Sequence, residues 1–486
     1  KKENIIFLHS SNVRKLLAEV SYKIFDKRVK KLVAVTGTNG KSSIADFYFQ
    51  ILKLNSKKVA SIGTLGLKYK SKTKNLVNTT SDPIKIGSIL KDLRRKKIEF
   101  AIMEASSHGL DQNRLDGLKF DIGIFTNLSH DHLDYHKNMK NYLNSKLYLF
   151  KHLIKKRGDI ITDRNIQEVQ KIKKISIKRN INLNLIYNEF NGIQLISHRF
   201  EKEKQILEIK FNKVKYKVQL NLIGKIQVNN ILMAIMAANK SGIEFKKILK
   251  ILPRITPVEG RLEKIGKIHN NSKVILDYAH TPAALELALS NLKEQFPFNK
   301  INLIFGCGGD RDVQKRPLMG KIAEKYSNEI YITDDNPRNE KPFKIRNEIK
   351  KGIKNKKIHE IPDRKKGIQE AVKNLKTGDI LLVAGKGHEK TQDYGKKIIN
   401  ISDKDIIKKA KVRIIRMNKK KLQEHNNSSV ISKVLKIKKR IGFNGVSINS
   451  KEIKKGNLFI AIKGPKKDGH NYLKEAIKKG ASHCVV

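Results

Sequence analysis

Residues 33–43 constrain the fold of this chain more than any other segment, because a short apolar run leads directly into a glycine-containing turn (Val-Ala-Val-Thr-Gly-Thr-Asn-Gly-Lys-Ser-Ser). Gly37 and Gly40 permit a tight turn whose backbone N–H groups can surround phosphate oxygens, and a following helix would direct its positive dipole end at the same anion. Lys41 adds a positive charge, and the hydroxyl of Ser42 suits Mg²⁺. The pattern predicts a strand, a phosphate-binding loop and a helix; an ordinary strand-to-helix turn is the alternative.

Length and charge limit the possible classes of protein. A chain of 486 residues exceeds what one hydrophobic core usually organises, so we expect two to four domains. The net charge of +57, from 103 Lys and Arg against 46 Asp and Glu, would suit a nucleic-acid partner. Because the lysines are scattered through every segment rather than clustered, we interpret the charge as compositional bias and expect no nucleic-acid partner. A positive field still favours capture of small anions such as nucleotides.

The cysteine count and the hydropathy pattern indicate where the protein works. Cys307 and Cys484 are the only cysteines, so the sequence contains neither a disulfide framework nor a thiolate metal motif. No apolar run approaches the roughly 18 to 20 residues that span a bilayer, and residues 1–9 lack a cleavable signal pattern. We therefore expect a cytoplasmic, monomeric protein without a membrane partner.

Strand and helix patterns alternate along most of the chain, which predicts an α/β fold with parallel sheets. In the first series, from about 30 to 250, strands are predicted at 31–35, 99–103 and 122–126, and the period-two pattern of 185–222 predicts antiparallel strands beside that sheet. A second series predicts another open α/β domain, with strands at 274–276, 302–305, 329–333 and 379–383.

Acidic and imidazole side chains follow two strands of the first predicted sheet. Glu104 ends one strand, at the sheet edge where open α/β folds bind ligands, and could reach a metal beside Ser42. Residues 127–136 follow the next strand and hold three histidines and two aspartates, which predicts metal and phosphate chemistry. A solvated glutamate and a polar helix cap are the alternatives.

Polar loops also follow strands of the second predicted sheet. Asp277 precedes a helix that should begin at Pro282, and it is placed to bind a ribose hydroxyl or to order water at phosphate, or simply to sit at a helix N-terminus. The glycine-rich or polar loops 306–312, 334–338 and 385–389 predict a pocket for a zwitterion, with Arg for carboxylate and Glu for ammonium. Any one of these loops alone would more often be a turn.

Taken together, these segments resemble the Mur ligase family over roughly residues 10–410. The matching motifs occur in order: Gly-Thr-Asn-Gly-Lys-Ser at 37–42, Glu-Ala-Ser-Ser-His-Gly-Leu-Asp-Gln-Asn-Arg at 104–114, Asn-Leu-Ser-His-Asp-His-Leu-Asp-Tyr-His at 127–136, Asp-Tyr-Ala-His-Thr-Pro at 277–282, Gly-Cys-Gly-Gly-Asp-Arg-Asp at 306–312, Asp-Asp-Asn-Pro-Arg at 334–338 and Gly-Lys-Gly-His-Glu at 385–389.

The resemblance implies an ATP- and Mg²⁺-dependent ligase that makes an amide bond through an acyl phosphate and releases ADP and phosphate. The loops at 334–338 and 385–389 look like those of members that add meso-diaminopimelate to UDP-N-acetylmuramoyl-L-Ala-D-Glu during synthesis of peptidoglycan precursors. A ligase of the folylpolyglutamate synthetase type is the closest alternative. An inactive basic fragment that binds nucleotide or nucleic acid is the alternative from another class.

The resemblance also implies residue roles on the ATP side. The expected ATP contacts are Gly37, Thr38, Asn39, Gly40, Lys41, Ser42, Ser43, Asn230, Arg261 and Asp277. The expected catalytic set is Lys41, Glu104, His132 and Lys146, and the expected metal set is Ser42, Glu104, His132 and Lys146. Lys146 falls where the family carries a carbamylated lysine, whose anionic oxygens would attract Mg²⁺ rather than repel it.

Further roles implied by the resemblance concern the other substrates. Residues expected to hold the uridine-linked peptide are Thr79, Thr80, Ser106, Gln112 and Arg114; those expected to hold the amino acid are Arg311, Asp335, Asn336, Pro337, Arg338, Gly385 and Glu389. One segment departs from the family pattern: Ile-Gln-Val-Asn-Asn stands at 226–230, where Phe-Asn-Val-x-Asn is usual.

The ends of the chain resemble parts of the small uridine-nucleotide domain that opens such ligases. The expected divisions are a remnant of it at 1–28, the central ATP-binding domain at 29–258, a Rossmann-like domain at 259–412, a linker at 413–440 and a partial small domain at 441–486. The tail carries Asn449-Ser450-Lys451 where the family has Asp-Ser-Arg. We favour a fusion of two family members; in the alternative, a permuted chain, the tail would dock near residues 4–8, with Ser450 and 465–467 near the uridine diphosphate.

Overall fold

A computed structural model describes residues 9–25, 29–188, 192–201, 203–267, 271–410, 443, 445–463 and 468–486. The chain divides into two compact units, Lys1–Ile406 and Ile407–Val486, which are treated one at a time below. The predicted linker at 413–440, the predicted strand at 4–8 and the predicted uridine contacts at 465–467 lie outside the described residues.

The first unit contains an 11-stranded sheet in the order β11-β10-β9-β8-β7-β6-β1-β5-β2-β3-β4. Its central strands are parallel, and both edges are antiparallel. The strands are β1 Lys31–Thr36, β2 Val59–Gly63, β3 Gly66–Tyr69, β4 Lys72–Lys74, β5 Phe100–Glu104, β6 Phe120–Phe125, β7 Ile154–Asp163, β8 Asn182–Ile186, β9 Gly192–Glu201, β10 Lys204–Phe211 and β11 Val214–Leu220.

Helices cover both faces of this sheet, which explains why its central strands are apolar throughout. Val33 and Val35 of β1 belong to one core, whereas Ala34 between them belongs to the core on the other face. The helices are α1 Val13–Ile24, α2 Lys41–Leu54, α3 Pro83–Arg95, α4 Ser107–Asp111, α5 Leu133–His136, α6 Met139–Tyr148, α7 Val169–Arg179, α8 Ile226–Lys240 and α9 Phe245–Ile251, with a π-helical turn at Leu149–Leu153 and a 3₁₀ turn at Leu252–Arg254.

The antiparallel edge differs from the sequence-based expectation in one respect. The period-two pattern of 185–222 predicts strands beside the sheet, and β9, β10 and β11 do pair antiparallel with one another. However, β9 also pairs in parallel with β8, so these strands continue the same sheet. The alternation of residues predicts the hairpins formed by β9, β10 and β11. The parallel pairing of β9 with β8 is a contact that no local pattern encodes.

A second sheet in the first unit has six strands in the order β12-β13-β17-β14-β15-β16. All neighbours are parallel except β12 and β13. Its strands are β12 Glu263–Lys267, β13 Lys273–Asp277, β14 Ile301–Phe305, β15 Glu329–Ile332, β16 Ile358–Glu360 and β17 Ile380–Ala384. The helices that accompany it are α10 Pro282–Gln295, α11 Lys315–Tyr326, α12 Pro342–Lys350 and α13 Arg364–Lys373. The hairpin of β18 Thr391–Asp393 and β19 Ile398–Asn400 follows in the chain, and then helical residues at 403–410.

The order of the second sheet determines where its loops lie. Strands β13, β17, β14 and β15 are neighbours and run in the same direction, so their carboxyl ends share one edge. The loops that begin after Asp277, Phe305, Ile332 and Ala384 therefore converge there. This edge carries the predicted loops 306–312, 334–338 and 385–389.

The second unit is small. Its three-stranded parallel sheet contains β20 Val446–Ser447, β21 Leu458–Ile460 and β22 His483–Val485, with 3₁₀ turns at Ser450–Glu452 and Gly469–Tyr472 and the helix α14 Leu473–Lys478. Ile453, Phe459 and Ala476 form its buried core. In the part of the chain that the structure describes, no helix is both long enough and apolar enough to cross a membrane.

Candidate active site

The loop between β1 and α2 has the backbone geometry that the sequence predicts. Gly40 has a φ of 87° and caps α2 in the left-handed conformation, and Gly37 has a φ of 147°. A Cβ atom on Gly37 would lie 1.8 Å from the hydroxyl oxygen of Thr126, and one on Gly40 would lie 2.6 Å from Oδ1 of Asn230. Both positions therefore exclude any larger residue.

The loop is held in place by the residues that follow β6. The amide of Asn39 donates a hydrogen bond to Oδ1 of Asn127 at 3.0 Å, and the hydroxyl of Thr126 donates to the carbonyl of Asn39 at 2.6 Å. The amide of Thr38 donates to the carbonyl of Asn127 at 2.9 Å. The first residues of the predicted 127–136 motif thus brace the phosphate loop.

Two lysines meet at this loop. Nζ of Lys41 donates to the carbonyls of Gly37 at 2.9 Å and Thr38 at 2.8 Å, and Nζ of Lys146 donates to the same Gly37 carbonyl at 2.8 Å. Lys146 is 1% exposed, and its ammonium lies 4.2 Å from the ring centroid of Tyr142. Burial lowers the pKa of both lysines, and the charge of Lys41 pushes the pKa of Lys146 further down.

Ser42 and Glu104 form the oxygen-rich side of the loop. The Ser42 hydroxyl donates to Oε2 of Glu104 at 3.0 Å, and the amide of Thr64 donates to Oε1 at 2.8 Å. Glu104 is 2% exposed, and a Cβ atom on Gly63 would lie 2.2 Å from its Oε1, so the carboxylate has a fixed position. The predicted proximity of Ser42 and Glu104 is present in the fold.

The donor set fits a Mg²⁺ ion that also binds nucleotide phosphates. Among the described residues, no three His, Cys, Asp or Glu side chains form a cluster able to hold a metal on their own. Mg²⁺ prefers oxygen ligands and commonly takes only one or two carboxylates from the protein, with phosphate oxygens and water completing its shell. A hydroxyl beside a buried carboxylate meets that requirement.

His132 lies among other rings and is uncharged near neutral pH. Its ring centroid is 5.0 Å from that of His108 and 6.1 Å from that of Tyr142. Burial lowers the pKa of His132 to about 4, although the carboxylate of Asp131 opposes the shift. The imidazole therefore has a free lone pair, which suits hydrogen-bond acceptance or a metal contact.

The residues predicted for the uridine-linked peptide form a connected network behind Glu104. The Thr80 hydroxyl donates to the backbone carbonyl of Glu104 at 2.8 Å and accepts from the amide of Ser106 at 2.9 Å. Nη1 of Arg114 donates to the Thr80 carbonyl at 2.6 Å, and its Nη2 donates to Oε1 of Gln112 at 2.6 Å. Thr80 is 1% exposed, so its hydroxyl is used within the protein.

A cavity of about 290 Å³ separates the edges of the two sheets in the first unit. It brings together most residues predicted for ATP and metal, together with two predicted for the peptide substrate. The predicted residues on its wall are Thr38, Asn39, Gly40, Lys41, Ser42, Ser43, Thr79, Glu104, Ser106, His132, Lys146, Asn230, Arg261 and Asp277.

Asp277 connects two chain segments on the second-sheet side of this cavity. One of its carboxylate oxygens accepts from the amide of Leu262 at 2.6 Å, and the other accepts from the amide of Ala279 at 2.8 Å. Burial raises the pKa of Asp277, while the charge of Arg261 and these hydrogen bonds oppose the rise. Both oxygens already accept backbone hydrogen bonds, so the position of Asp277 also supports a bracing role.

The departure from the family pattern at 226–230 has a local structural outcome. Oε1 of Gln227 accepts from Nδ2 of Asn230 at 3.1 Å, and both residues are buried. This hydrogen bond orients the Asn230 amide so that its oxygen faces the Cα of Gly40. Gln227 thereby supports the asparagine that packs against the phosphate loop.

The loops of the second sheet converge on a cluster of polar side chains around Glu389, which is called the second pocket below. Glu389 accepts from Nδ2 of Asn336 at 3.2 Å, from Nζ of Lys386 at 2.9 Å and from the hydroxyl of Tyr278 at 3.2 Å. Burial raises the pKa of the Glu389 carboxyl, but Lys386 and the hydrogen bonds outweigh burial and hold that pKa below its usual value. The pocket therefore offers an ionised carboxylate to a cationic group.

Arg338 follows Asn336 in the same loop, and its guanidinium lies against the neighbouring loop at 306–312. Its φ is 53°, and its Nη1 donates to the carbonyl of Gly309 at 2.7 Å. Gly385 leaves room for Asp335, because a Cβ atom there would lie 2.6 Å from Oδ2 of the aspartate. Arg311 is exposed on the neighbouring loop, so its side chain has space to reorient.

Two predicted residues stand differently from the rest. Pro337 acts through its backbone, because a Cβ atom on Gly309 would lie 1.8 Å from its carbonyl oxygen. Ser450 belongs to the second unit, where its hydroxyl donates to Oε2 of Glu475 at 2.9 Å.

The sequence-based predictions omitted several residues that complete the two pockets. Tyr278 and Lys386 lie inside recognised motifs, so their positions carried a signal that the predictions left unused. Tyr142, which contacts the Thr38 hydroxyl at 3.2 Å, and Thr64, whose hydroxyl contacts that of Thr79 at 3.0 Å, lie outside those motifs.

The glycine loop, the adjacent hydroxyl and carboxylate, and the two α/β sheets define an ATP-binding α/β enzyme. Family models agree: the Mur ligase middle domain matches residues 35–238, the "Mur ligase, glutamate ligase domain" matches 260–387, and the "Mur ligase family, catalytic domain" matches 442–486. The chain belongs to the Mur ligase family and is an ATP-dependent ligase.

Several relatives are similar over most of their length. A protein of Rickettsia montanensis named UDP-N-acetylmuramoyl-L-alanyl-D-glutamate–2,6-diaminopimelate ligase is 39% identical over 84% of this chain and 86% of its own. A protein of the same name from Chelativorans sp. is 36% identical over 83% of each chain.

Solved structures of the family have a similar fold. A structure of a UDP-N-acetylmuramoyl-L-alanyl-D-glutamate–2,6-diaminopimelate ligase matches with a TM-score of 0.61 and 28% identity over 85% of this chain and 84% of that chain. A Mycobacterium tuberculosis folylpolyglutamate synthase complexed with ADP and AMPPCP matches with a TM-score of 0.64 but 14% identity, over 77% of this chain and 92% of that chain. The second likeness concerns the fold alone.

Proposed function

We propose that this chain uses ATP to join meso-diaminopimelate to UDP-N-acetylmuramoyl-L-Ala-D-Glu, a step in peptidoglycan precursor synthesis. The observation that carries the proposal is the combination of a phosphate loop with a second polar cluster, in which an ionised Glu389 contacts Asn336 and Arg338 lies on the same loop as Asn336. Relatives that are 39% identical carry the name of this ligase. We expect a cytoplasmic monomer that acts without a nucleic-acid or membrane partner.

The first part of the proposed mechanism concerns ATP. The backbone amides at the N-terminus of α2 would bind phosphate oxygens, because the amides of Thr38 and Asn39 already donate to Asn127. The side chain of Lys41 would leave its two loop carbonyls to contact the phosphates. Ser42 and Glu104, aided by His132 and a modified Lys146, would hold Mg²⁺, which neutralises the negative charge of the transferring phosphoryl group. Asn230, Arg261 and Asp277 lie on the opposite wall, where the nucleoside would bind.

The second part concerns the acid. A peptide carboxylate placed by Thr79, Ser106, Gln112 and Arg114 attacks the terminal phosphorus of ATP, and ADP leaves. The resulting acyl phosphate is a far better electrophile than a carboxylate. The buried wall formed by Glu104 and its neighbours limits access of water to that anhydride.

The third part concerns the amine. An uncharged amino group of diaminopimelate attacks the acyl carbon, the carbon–oxygen bond to phosphate breaks, and the nitrogen loses a proton as the amide forms. Glu389 would bind the distal ammonium group, and Arg338, with Arg311, the distal carboxylate. Lysine lacks that carboxylate, so it would forgo the charge-assisted hydrogen bonds to these arginines and bind less tightly.

Lys146 would act as its carbamate. Burial and the neighbouring charge of Lys41 favour the neutral amine of Lys146, and only a neutral amine can attack CO₂. A nitrogen–carbon bond forms between the neutral amine and CO₂, and one nitrogen-bound proton is released. Counted from the ammonium form, two protons leave in total, and an anionic group lies beside the phosphate loop. This change would remove the repulsion between the Lys146 ammonium and Mg²⁺.

Phosphate release with defined mixtures tests the proposed function. We expect release only when ATP, the uridine-linked muramoyl dipeptide and meso-diaminopimelate are all present, and none in a Lys41→Ala control. Equal turnover with lysine would overturn the choice of amino acid. Turnover with a folate and glutamate instead would reassign the chain to the folylpolyglutamate synthetase reaction.

A further inference from the structure

Lys386 is a buried cation in the second pocket to which the proposed mechanism assigns no part. Its side chain is 0% exposed and lies between two glycines, Gly385 and Gly387. Its Nζ donates to Oε2 of Glu389 at 2.9 Å and to Oδ1 of Asn336 at 3.0 Å. An ammonium taken fully out of water is costly unless it is paired, so these contacts need a reason.

The first consequence of this arrangement concerns Asn336. Its Oδ1 accepts from Lys386 and also from the amide of Asp393 at 2.9 Å. An ammonium can only donate, so it fixes which end of the carboxamide is oxygen. The NH₂ end must then face Glu389, to which Nδ2 of Asn336 donates at 3.2 Å.

The second consequence concerns Glu389. Oε2 of this carboxylate accepts from both Lys386 and Asn336, whereas Oε1 accepts from the Tyr278 hydroxyl at 3.2 Å. A carboxylate has about four lone-pair positions, so Oε1 retains one for a ligand. The pocket therefore keeps an acceptor for a cationic group while the rest of the carboxylate is fixed.

The Lys386–Glu389 pair differs in exposure from an ion pair that is buried entirely within the fold. Arg364 and Asp403 pair at 2.7 Å, and both side chains are 0% exposed. In the Lys386 pair the acidic partner, Glu389, is 31% exposed. The Lys386 ammonium is fully buried, whereas the carboxylate of its partner Glu389 is partly accessible to a ligand.

We propose that Lys386 is a positioning residue for amino-acid binding, which holds Glu389 and Asn336 in place so that Oε1 of Glu389 accepts the ammonium group of the incoming amino acid. The inference rests on the proposed function, because it takes diaminopimelate as the ligand of this pocket. Lys386 itself does not contact the reacting atoms.

The first test compares Lys386→Met with Lys390→Met, since Lys390 is an exposed lysine of the same loop. We expect the KM for diaminopimelate to rise at least tenfold in Lys386→Met, while the KM for ATP stays within twofold, and both constants to stay at wild-type values in Lys390→Met. An unchanged KM for diaminopimelate in Lys386→Met, or an equal rise in the KM for ATP, would overturn the proposal.

A double variant tests whether Lys386 acts through Glu389. If it does, Glu389→Gln with Lys386→Met should show the same KM for diaminopimelate as Glu389→Gln alone, and a further tenfold rise would contradict the inference. The double variant removes both charges together, so it also decides the question if Lys386→Met alone fails to fold.

The pH dependence of kcat/KM distinguishes a positioning role of Lys386 from a purely structural role, which would leave the pH profile unshifted. Without Lys386, burial raises the pKa of Glu389. As the pH is lowered, the decrease in kcat/KM for diaminopimelate should therefore begin at a higher pH in Lys386→Met than in the wild type. If the acid limbs of the pH profiles of Lys386→Met and the wild type coincide, the proposal is wrong. Failure of the proposed function is a different result, because the wild-type enzyme would then show no diaminopimelate-dependent phosphate release.

Discussion

Lys41 and Lys146 donate hydrogen bonds to the same oxygen atom, the carbonyl of Gly37, at 2.9 and 2.8 Å. Burial lowers the pKa of both lysines, and the charge of Lys41 lowers the pKa of Lys146 further. A third positive centre, a divalent cation, would be repelled by the same pair. We therefore expect Lys146 to lose its charge before Mg²⁺ binds.

Carbamylation of Lys146 is the first prediction. Protein equilibrated with ¹³C-bicarbonate should show a carbamate carbon resonance that disappears in Lys146→Arg and persists in Lys140→Arg, an exposed position on the same helix. Because Mg²⁺ would face a cation again, activity of Lys146→Arg should fall by about a hundredfold or more. Full activity of this variant would show that no carbamate is required.

The second prediction concerns the Ser42–Glu104 pair. Glu104→Gln removes a charge and replaces one acceptor oxygen by an NH₂ group. With its oxygen on the Thr64 amide, that NH₂ group would face the hydroxyls of Ser42 and Thr64, which would have to accept instead of donate. The Mg²⁺ concentration for half-maximal activity should rise about tenfold or more, and the free energy of unfolding should fall by about 1–3 kcal/mol. Titration of activity with Mg²⁺ and denaturant unfolding measure the two effects, with the exposed Asp92→Asn as the control.

The third prediction separates steric exclusion at the phosphate loop from backbone strain. Gly37→Ala would place a methyl group 1.8 Å from the Thr126 hydroxyl, whereas Gly242→Ala, at a φ of 96°, would meet no atom within 4 Å. Both variants should lose stability through strain, but only Gly37→Ala should lose nucleotide binding as well. Calorimetric titration with a non-hydrolysable ATP analogue distinguishes them; equal affinities would contradict the geometry.

The fourth prediction concerns the choice of amino acid. Arg338→Leu removes the guanidinium proposed to bind the distal carboxylate, so kcat/KM for diaminopimelate should fall about a hundredfold or more, while that for lysine should change little or rise. The ratio of the two constants is the measurement. Parallel loss with both amino acids would indicate that Arg338 acts by holding Gly309, to which its Nη1 donates at 2.7 Å.

The fifth prediction concerns stability in acid. Burial and the charge of Arg261 lower the pKa of His388 to about 4, and its Nδ1 is buried without a hydrogen-bond partner among the described residues. The unfolded chain has a histidine pKa near 6.5, so it binds more protons than the folded state between about pH 6.5 and 4. This group should therefore lower the free energy of unfolding by about 1–2 kcal/mol as the pH falls from 7 to 5.

Denaturant unfolding at both pH values tests the effect of His388. The loss should shrink in His388→Gln and should persist in the control His9→Gln, because His9 is exposed. An unchanged loss in His388→Gln would assign the acid sensitivity to other groups.

Much of the fold follows from local sequence patterns. The apolar runs and the Gly37 turn predict the parallel centre of the first sheet, because buried parallel strands are apolar on both faces. Pro282 begins α10 as expected. The proximity of Ser42 and Glu104 follows from the rule that parallel strands place their carboxyl ends on one edge.

Other features depend on contacts between distant segments, which a single sequence does not reveal. β12 has no apolar run and forms through antiparallel pairing with β13. The position of Asp277 at a strand end predicts a contact with ribose or with water at phosphate, or simply a helix N-terminus. Its hydrogen bond from the amide of Leu262 at 2.6 Å depends on another segment, which no local pattern reveals. Likewise, nothing in a lysine-rich sequence marks Lys386 as fully buried.

The bracing of the phosphate loop by Thr126 and Asn127 has a consequence for the rate of nucleotide capture. Because Asn39 is already tied to both residues, the loop conformation does not depend on the arrival of a ligand. The conformational entropy of Gly37 and Gly40 is therefore lost when the protein folds and not when the nucleotide binds. Encounter with the nucleotide should then be governed by diffusion in the field of a strongly cationic chain, without a slow rearrangement of the backbone.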